Sequence, residues 1–158
     1  MKSKKIKIFT DGSCIGNPGP GGFATIIKYQ NITKIFKAGY QMTTNNRMEL
    51  IAIIKALENV THAHNILIYT DSTYIKLGTT KWIKNWKKNG WKNSKHKTIK
   101  NLDLWQKINL LIQNNKITWN WIKSHNGNTN NEHCDKLAKI AAKNPKNIDT
   151  GYIMQNTT

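Results

Sequence analysis

The chain is short of acid, cysteine, arginine and long apolar runs, and each shortage excludes something. Two cysteines, Cys14 and Cys134, are too few for a disulfide framework and lack the paired spacing of a zinc site. They read as reduced thiols, and although each stands close to an aspartate, hard oxygen-liganded cations do not call for thiolate. No stretch approaches the roughly 18 uninterrupted apolar residues that a membrane-spanning helix needs. The opening Met1-Lys2-Ser3-Lys4-Lys5 has no apolar run of the kind a secretion signal carries. A soluble, cytoplasmic chain with no membrane partner is expected. Eight acids stand against 25 basic residues, which leaves a formal net charge of +17 on 158 residues. Such a surplus calls for a polyanionic partner, with nucleic acid ahead of a membrane surface or an acidic protein. A drift toward AT-rich codons would account for abundant Lys, Ile and Asn, and for Arg47 being the only arginine. It would not account for the missing acids.

What is present suits one globular domain with its own core, since 38% of the residues are hydrophobic. The first third reads as strands at Ile6–Thr10, Phe23–Tyr29 and Lys34–Tyr40 in an antiparallel meander. The Gly-rich run from Gly16 to Gly22 is expected to make the first reversal, and no Gly-Lys-Ser/Thr follows it as a nucleotide loop would require. From Asn45 to about Asn59 the period turns helical, with Met48, Ile51, Ala52 and Leu57 in steps of three and four. Ile66–Thr70 is continuously apolar, as in a parallel strand buried on both faces, and Asp71-Ser72 reads as a helix opener. Residues 81–100 interleave Trp82, Trp86 and Trp91 with lysines and carry no acid. A helix over Leu102–Ile112, a strand through Ile117, Trp119 and Trp121, a polar loop and a helix to Ala142 complete the pattern. Strands first, then alternating helices and strands, give an α/β fold with a mixed sheet and helices on its faces. Pro145 marks the expected end of the packed domain, 1–145, with a tail at 146–158.

Four of the eight acids stand where local structure changes: Asp11 and Asp71 at strand ends, Glu49 and Asp135 early in helices. Singly, each has a plain explanation as a turn former, a cap or a first-turn acid favoured by the helix dipole. Jointly they suggest a cluster, because the strands ending in Asp11 and Asp71 can be neighbours in one sheet. Ligands gather at the carboxyl ends of strands in open α/β sheets. Clustered carboxylates suit Mg²⁺, and two such ions about 3.5–4 Å apart drive in-line displacement at phosphorus. Phosphodiester hydrolysis is the reaction class this points to.

The motifs are longer than that argument needs. Phe9-Thr10-Asp11-Gly12-Ser13-Cys14-Ile15-Gly16-Asn17-Pro18-Gly19-Pro20-Gly21-Gly22 resembles the opening of bacterial ribonuclease HI, of the type 1 ribonuclease H family. Thr43-Thr44-Asn45-Asn46-Arg47-Met48-Glu49-Leu50, Tyr69-Thr70-Asp71-Ser72 and Ser124-His125-Asn126-Gly127 through Asn131-Glu132-His133-Cys134-Asp135 are similar to its later motifs, in the same order. The resemblance implies a ribonuclease H-like fold, a five-stranded mixed sheet with helices on both faces. It implies an endonuclease that cuts the RNA strand of RNA–DNA hybrids and leaves 5′-phosphate and 3′-hydroxyl ends. Asp11, Glu49, Asp71 and Asp135 would be the catalytic and metal-binding set, holding two Mg²⁺ with Mn²⁺ as a substitute. His125, by itself readable as a turn bystander, would assist proton movement or product departure, and Glu132 would stand just behind the metal ligands.

The same resemblance places Cys14, Asn17, Thr44, Asn45, Asn46 and Thr73 along the minor groove of the hybrid, where short polar groups can read the RNA 2′-hydroxyl. By itself Asn45 reads as a helix N-cap. Residues 81–100 resemble the basic handle of some family members, with Trp82, Lys87, Lys88 and Lys92 against the hybrid, chiefly its DNA strand. Trp86 and Trp105 sit at helical spacings that also suit a core. Two positions depart from the pattern: Thr73 stands where Gln is usual and Met42 where Arg is common, which bears on affinity and strictness rather than on cleavage. Family membership suggests a monomer. The competing readings are an integrase- or resolvase-like DNA nuclease of the same fold and a catalytically silent hybrid-binding protein.

Overall fold

A computed structural model describes residues 5–60, 65–123 and 127–157. Strands β1 (Lys5–Cys14), β2 (Gly19–Tyr29) and β3 (Ile32–Thr43) form the antiparallel meander, followed by helix α1 (Asn45–Glu58) and strand β4 (Asn65–Thr70). Helix α2 (Thr73–Leu77), a π-helical turn at Gly78–Trp82 and helix α3 (Ile83–Lys88) run on from one another. Then come α4 (Leu102–Gln113), β5 (Ile117–Trp121), α5 (Thr129–Ala142) and α6 (Thr150–Gln155). The sheet has five strands in the order β3-β2-β1-β4-β5, antiparallel from β3 to β1 and parallel from β1 to β5. This is the mixed sheet the pattern predicts. No helix among the described residues is long and apolar enough to cross a membrane.

Side chains alternate across a strand, so β1 serves two cores at once. Ile6 and Ile8, with Ile66 and Ile68 of β4, pack against Ile53 and Leu57 of α1 and Trp105 and Ile108 of α4. Phe9, with Ala24 and Ile26 of β2, faces the other way, against Cys134 and Ala138 of α5. Burying each such Ile or Leu contributes about 1.5–3 kcal/mol.

The strands run further than the apolar pattern suggests. Gly21 and Gly22 pair with Cys14 and Ser13 inside the sheet, so the reversal narrows to the residues between Cys14 and Gly19. Gly22 is needed for close approach rather than for turning: a Cβ there would meet Ala138 O and Ala142 N at 2.5 Å, where α5 lies on the strand. The handle is also partly structural. Trp86 packs tilted against Trp82 and Trp91 and edge-on to Trp105, with ring centroids 5.8, 6.3 and 5.7 Å away, and Trp105 is fully buried.

Hydrogen bonding continues past Pro145, the expected end of the packed domain. Asn147 donates from its backbone N–H to Gly39 O at 2.9 Å and accepts from Gln41 N at 2.9 Å. Asp149 is buried, caps α6 and pairs with Arg47, 102 residues earlier. Arg47 and Thr43, both more than 100 residues earlier, satisfy the buried carboxylate together with the α6 cap.

The fold also sets how near α1 comes to β1. A Cβ on Gly12 would stand 2.6 Å from Glu49 N and 2.8 Å from Met48 C, both backbone atoms that cannot swing aside. Gly12→Ala is therefore expected to push α1 outward and destabilise the protein by about 1–3 kcal/mol. Denaturant melts check this, and a midpoint equal to wild type would mean that α1 does not rest on Gly12.

Candidate active site

Asp11 lies on β1 just past the last residue paired with β4, and Asp71 follows the end of β4 directly. Because the two strands are neighbours and parallel, both carboxylates emerge at the same end of the sheet. Ser72, not Asp71, caps α2, its hydroxyl accepting from Ile75 N at 3.1 Å. Glu49 comes from above, carried by α1 over the bare backbone of Gly12. Thr44, not Asn45, caps α1, accepting from Arg47 N at 3.2 Å. One carboxylate oxygen from each of Asp11, Glu49 and Asp71 lies within 4.8 Å of the other two. Asp135 lines the same cleft from α5, close enough for its charge to act on Asp11, and forms an ion pair with Lys139 at 2.9 Å.

Crowding like charges out of water raises carboxyl pKa values. Burial, reinforced by the Asp71 charge, pushes Asp11 up to about 7 from its ordinary 3.8. Burial, with Asp11 and Asp71 adding repulsion, holds Glu49 well above the usual carboxylate range. Glu49 Oε2 is buried without a hydrogen-bond partner. An orphaned carboxylate oxygen facing two further carboxylates is a donor set for a hard divalent cation, which takes oxygen ligands and supplies the missing positive charge. Asp11, Glu49 and Asp71 could hold such an ion, with Asp135 alongside. The thiols take no part: burial raises the pKa of Cys14 and pushes Cys134 up to about 12, so neither is a thiolate at neutral pH.

Around the carboxylates opens a cleft of about 610 Å³, lined by Asn45, Asn46, Thr73, Asn131, Glu132 and Lys139 among others. Asn17 stands behind the start of α1, its Oδ1 accepting from Asn45 N at 3.0 Å. Cys14 Sγ lies 3.5 Å from both Gly19 O and Thr43 O. Trp82 is half-buried with its ring edge-on to Tyr74, centroids 5.4 Å apart, so it anchors the handle to the core. Lys87, Lys88 and Lys92 are exposed on the handle and do not line the cleft. His125 lies outside the described residues. Sequence reasoning missed Lys139, although its i,i+4 spacing from Asp135 was a usable signal. It also missed Tyr74 and Asn128 in the cleft lining, for which no local pattern speaks.

The family model for RNase H matches residues 3–143. This chain belongs to the ribonuclease H family. It is 52% identical over 150 residues to "Ribonuclease H" of Yersinia pestis (strain Pestoides F), covering 95% of this chain and 97% of that one, and it is a ribonuclease H enzyme. Among solved structures of the family, LC9-RNase H1, a type 1 RNase H with the type 2 active-site motif, superposes with a TM-score of 0.81 at 28% identity, over 100% of this chain and 83% of that one. LC11-RNase H1, solved in complex with an RNA/DNA hybrid, shares the fold with a TM-score of 0.61 at 24% identity, over 88% and 97% of the two chains.

A ribonuclease H whose carboxylates share one buried site should be strained when free of metal. Below pH 3.8 Asp11 is protonated whether folded or not, so it costs nothing. As pH climbs toward about 7 the unfolded chain ionises while the folded site keeps its proton, and stability falls by a few kcal/mol through that window. In EDTA, Asp11→Asn should melt higher than wild type, and the gap should widen from pH 4 to pH 7. A gap that stays flat or reverses sign means that Asp11 carries no repulsion.

Proposed function

We propose that Asp11, Glu49, Asp71 and Asp135 hold two Mg²⁺, with Mn²⁺ able to substitute, and that the chain uses them to hydrolyse the RNA strand of RNA–DNA hybrids, leaving 5′-phosphate and 3′-hydroxyl ends. The observation that carries this reading is the cluster of carboxylate oxygens from Asp11, Glu49 and Asp71, within 4.8 Å of one another in the cleft lining, with Glu49 Oε2 left without a hydrogen-bond partner. Bound divalent ions supply Lewis-acid activation of the attacking water and stabilise the departing oxygen.

The chain's own groups do the rest. Asp11 and Glu49, protonated without metal, ionise as ligands when cations arrive. Lys139 pairs with the Asp135 carboxylate at the cleft wall and partly balances its charge. Asn45 and Asn46 carry amide groups that both donate and accept, which suits the 2′-hydroxyl and tells RNA from DNA. Thr44, Thr73, Asn17 and Cys14 flank the same groove, Glu132 stands at its rim, and His125 moves a proton or helps product leave. Lys87, Lys88 and Lys92 neutralise phosphates of the DNA strand, with Trp82 stiffening the handle beneath them. The enzyme works as a monomer in the cytoplasm.

The test presents one end-labelled sequence as RNA–DNA hybrid, RNA duplex, DNA duplex and single-stranded RNA, with Mg²⁺, with EDTA and with Asp71→Asn. Cutting confined to the RNA strand of the hybrid, and lost both in EDTA and in Asp71→Asn, is expected. Cutting of DNA duplex would favour an integrase-like activity, hybrid binding without turnover a silent binder, and cutting in EDTA would refute metal dependence.

A further inference from the structure

Arg47 lies between Asn46 and Glu49 on α1, is 1% exposed, and points away from the cleft into a polar network. Its Nη1 and Nη2 donate to Asp103 Oδ1 and Oδ2 at 2.9 and 2.8 Å. Its Nε and Nη2 donate to Asp149 Oδ2 and Oδ1 at 2.8 and 3.0 Å, and Nη1 also reaches Asn101 Oδ1 at 3.3 Å. Asp149 then accepts from Thr43 Oγ1 at 2.8 Å, on the residue before the α1 cap, and from Tyr152 N at 3.1 Å, closing the first turn of α6. From α6, Gln155 Oε1 accepts from Asn101 N at 3.0 Å and its Nε2 donates to Asn101 Oδ1 at 3.1 Å. Asn101 Nδ2 donates at 3.0 Å to the hydroxyl of Tyr74, a residue of the cleft lining.

Two branches of this network reach the cleft, one at the α1 entry through Thr43 and Arg47 and one at Tyr74, and their shared anchor is the segment after Pro145. A buried ion pair is a weak device for stability, because well-packed apolar groups often serve as well. It is a strong device for geometry, since two bidentate forks fix the guanidinium in position and direction. A chain that otherwise uses lysine throughout has its one arginine here, where a point charge could not make those forks.

We propose that Asp149 is a positioning residue for substrate discrimination: by clamping Arg47 and Thr43 it holds the first turn of α1, and with it Asn45 and Asn46, in register with the hybrid. The segment from Asp149 to Gln155 thereby belongs to the recognition apparatus. Glu49 is held separately by the contact of α1 with Gly12, so the clamp acts on recognition more than on chemistry. The inference rests on the reading that Asn45 and Asn46 tell RNA from DNA, and its test needs no turnover.

The full-length chain and its Asp149→Ala, Asp149→Asn and Gln155→Ala variants are compared by fluorescence anisotropy on hybrid and on DNA duplex of one sequence, in EDTA, well below every melting temperature. Ile108→Ala, a buried core change outside the network, controls for lost stability. Asp149→Ala is expected to weaken hybrid binding about tenfold, ~1.4 kcal/mol, while DNA duplex binding, carried by lysines and phosphates, stays within about twofold. Asp149→Asn, which keeps its acceptor oxygen for the α6 cap, should fall between, and Gln155→Ala should move the same way by about threefold. Ile108→Ala should lower the melting temperature and leave both affinities alone. An unchanged hybrid-to-DNA ratio in Asp149→Ala, or an equal loss on both duplexes, overturns the proposal. If Asp149→Ala does not fold, an unchanged ratio in Gln155→Ala overturns it equally.

Discussion

Mutual repulsion of carboxylates gathered away from water is the constraint around which this structure is arranged. At an effective dielectric near 20, two unit charges 4 Å apart cost about 4 kcal/mol. A small domain with a few kcal/mol of net stability can carry such a cost only if the backbone leaves the groups no alternative. It leaves none here: β1 and β4 are parallel neighbours that release Asp11 and Asp71 at one end, and the bare backbone of Gly12 admits α1 closely enough to bring Glu49 over them. The response is protonation, which is why Asp11 and Glu49 keep their protons far above the usual range.

The same constraint makes sense of the chain's acids. Asp103 and Asp149 are consumed by Arg47. Glu58 pairs with Lys107 across the α1–α4 contact at 3.5 Å, an exposed pair worth little. The others, Asp11, Glu49, Asp71, Glu132 and Asp135, all line one cleft. A surface otherwise covered in lysine draws a polyanion in, and this acid-lined cleft is where cations can be held between protein and phosphate.

Much of this was legible beforehand, because strand and helix periods announce themselves. The α1 range and β4 as a strand follow from their apolar patterns, though β4 buries Ile66, Ile68 and Thr70 fully and leaves its other face partly exposed. The carboxylates were legible because acids are rare and each marks a junction. What was not legible depends on distant partners. Gly22 looked like a turn residue until α5 came to rest on it, and the pairing of Asp149 with Arg47 joins residues 102 apart in the chain. Trp82 looked like a stacking surface for substrate, yet rings from α2, α3 and α4 crowd it. Asn45 looked like a cap, but Thr44 takes that role and leaves Asn45 to the cleft. In each case local chemistry permitted two uses and only tertiary packing chose between them.

Calorimetry of Mg²⁺ binding at pH 7, repeated in buffers of different ionisation enthalpy, tests most directly whether the carboxylates form one shared, proton-holding cluster. Metal must displace the protons that burial and mutual repulsion keep on Asp11 and Glu49, so release of about one proton per protein is predicted. Binding with no proton released would mean that the carboxylates are already ionised and do not share a site.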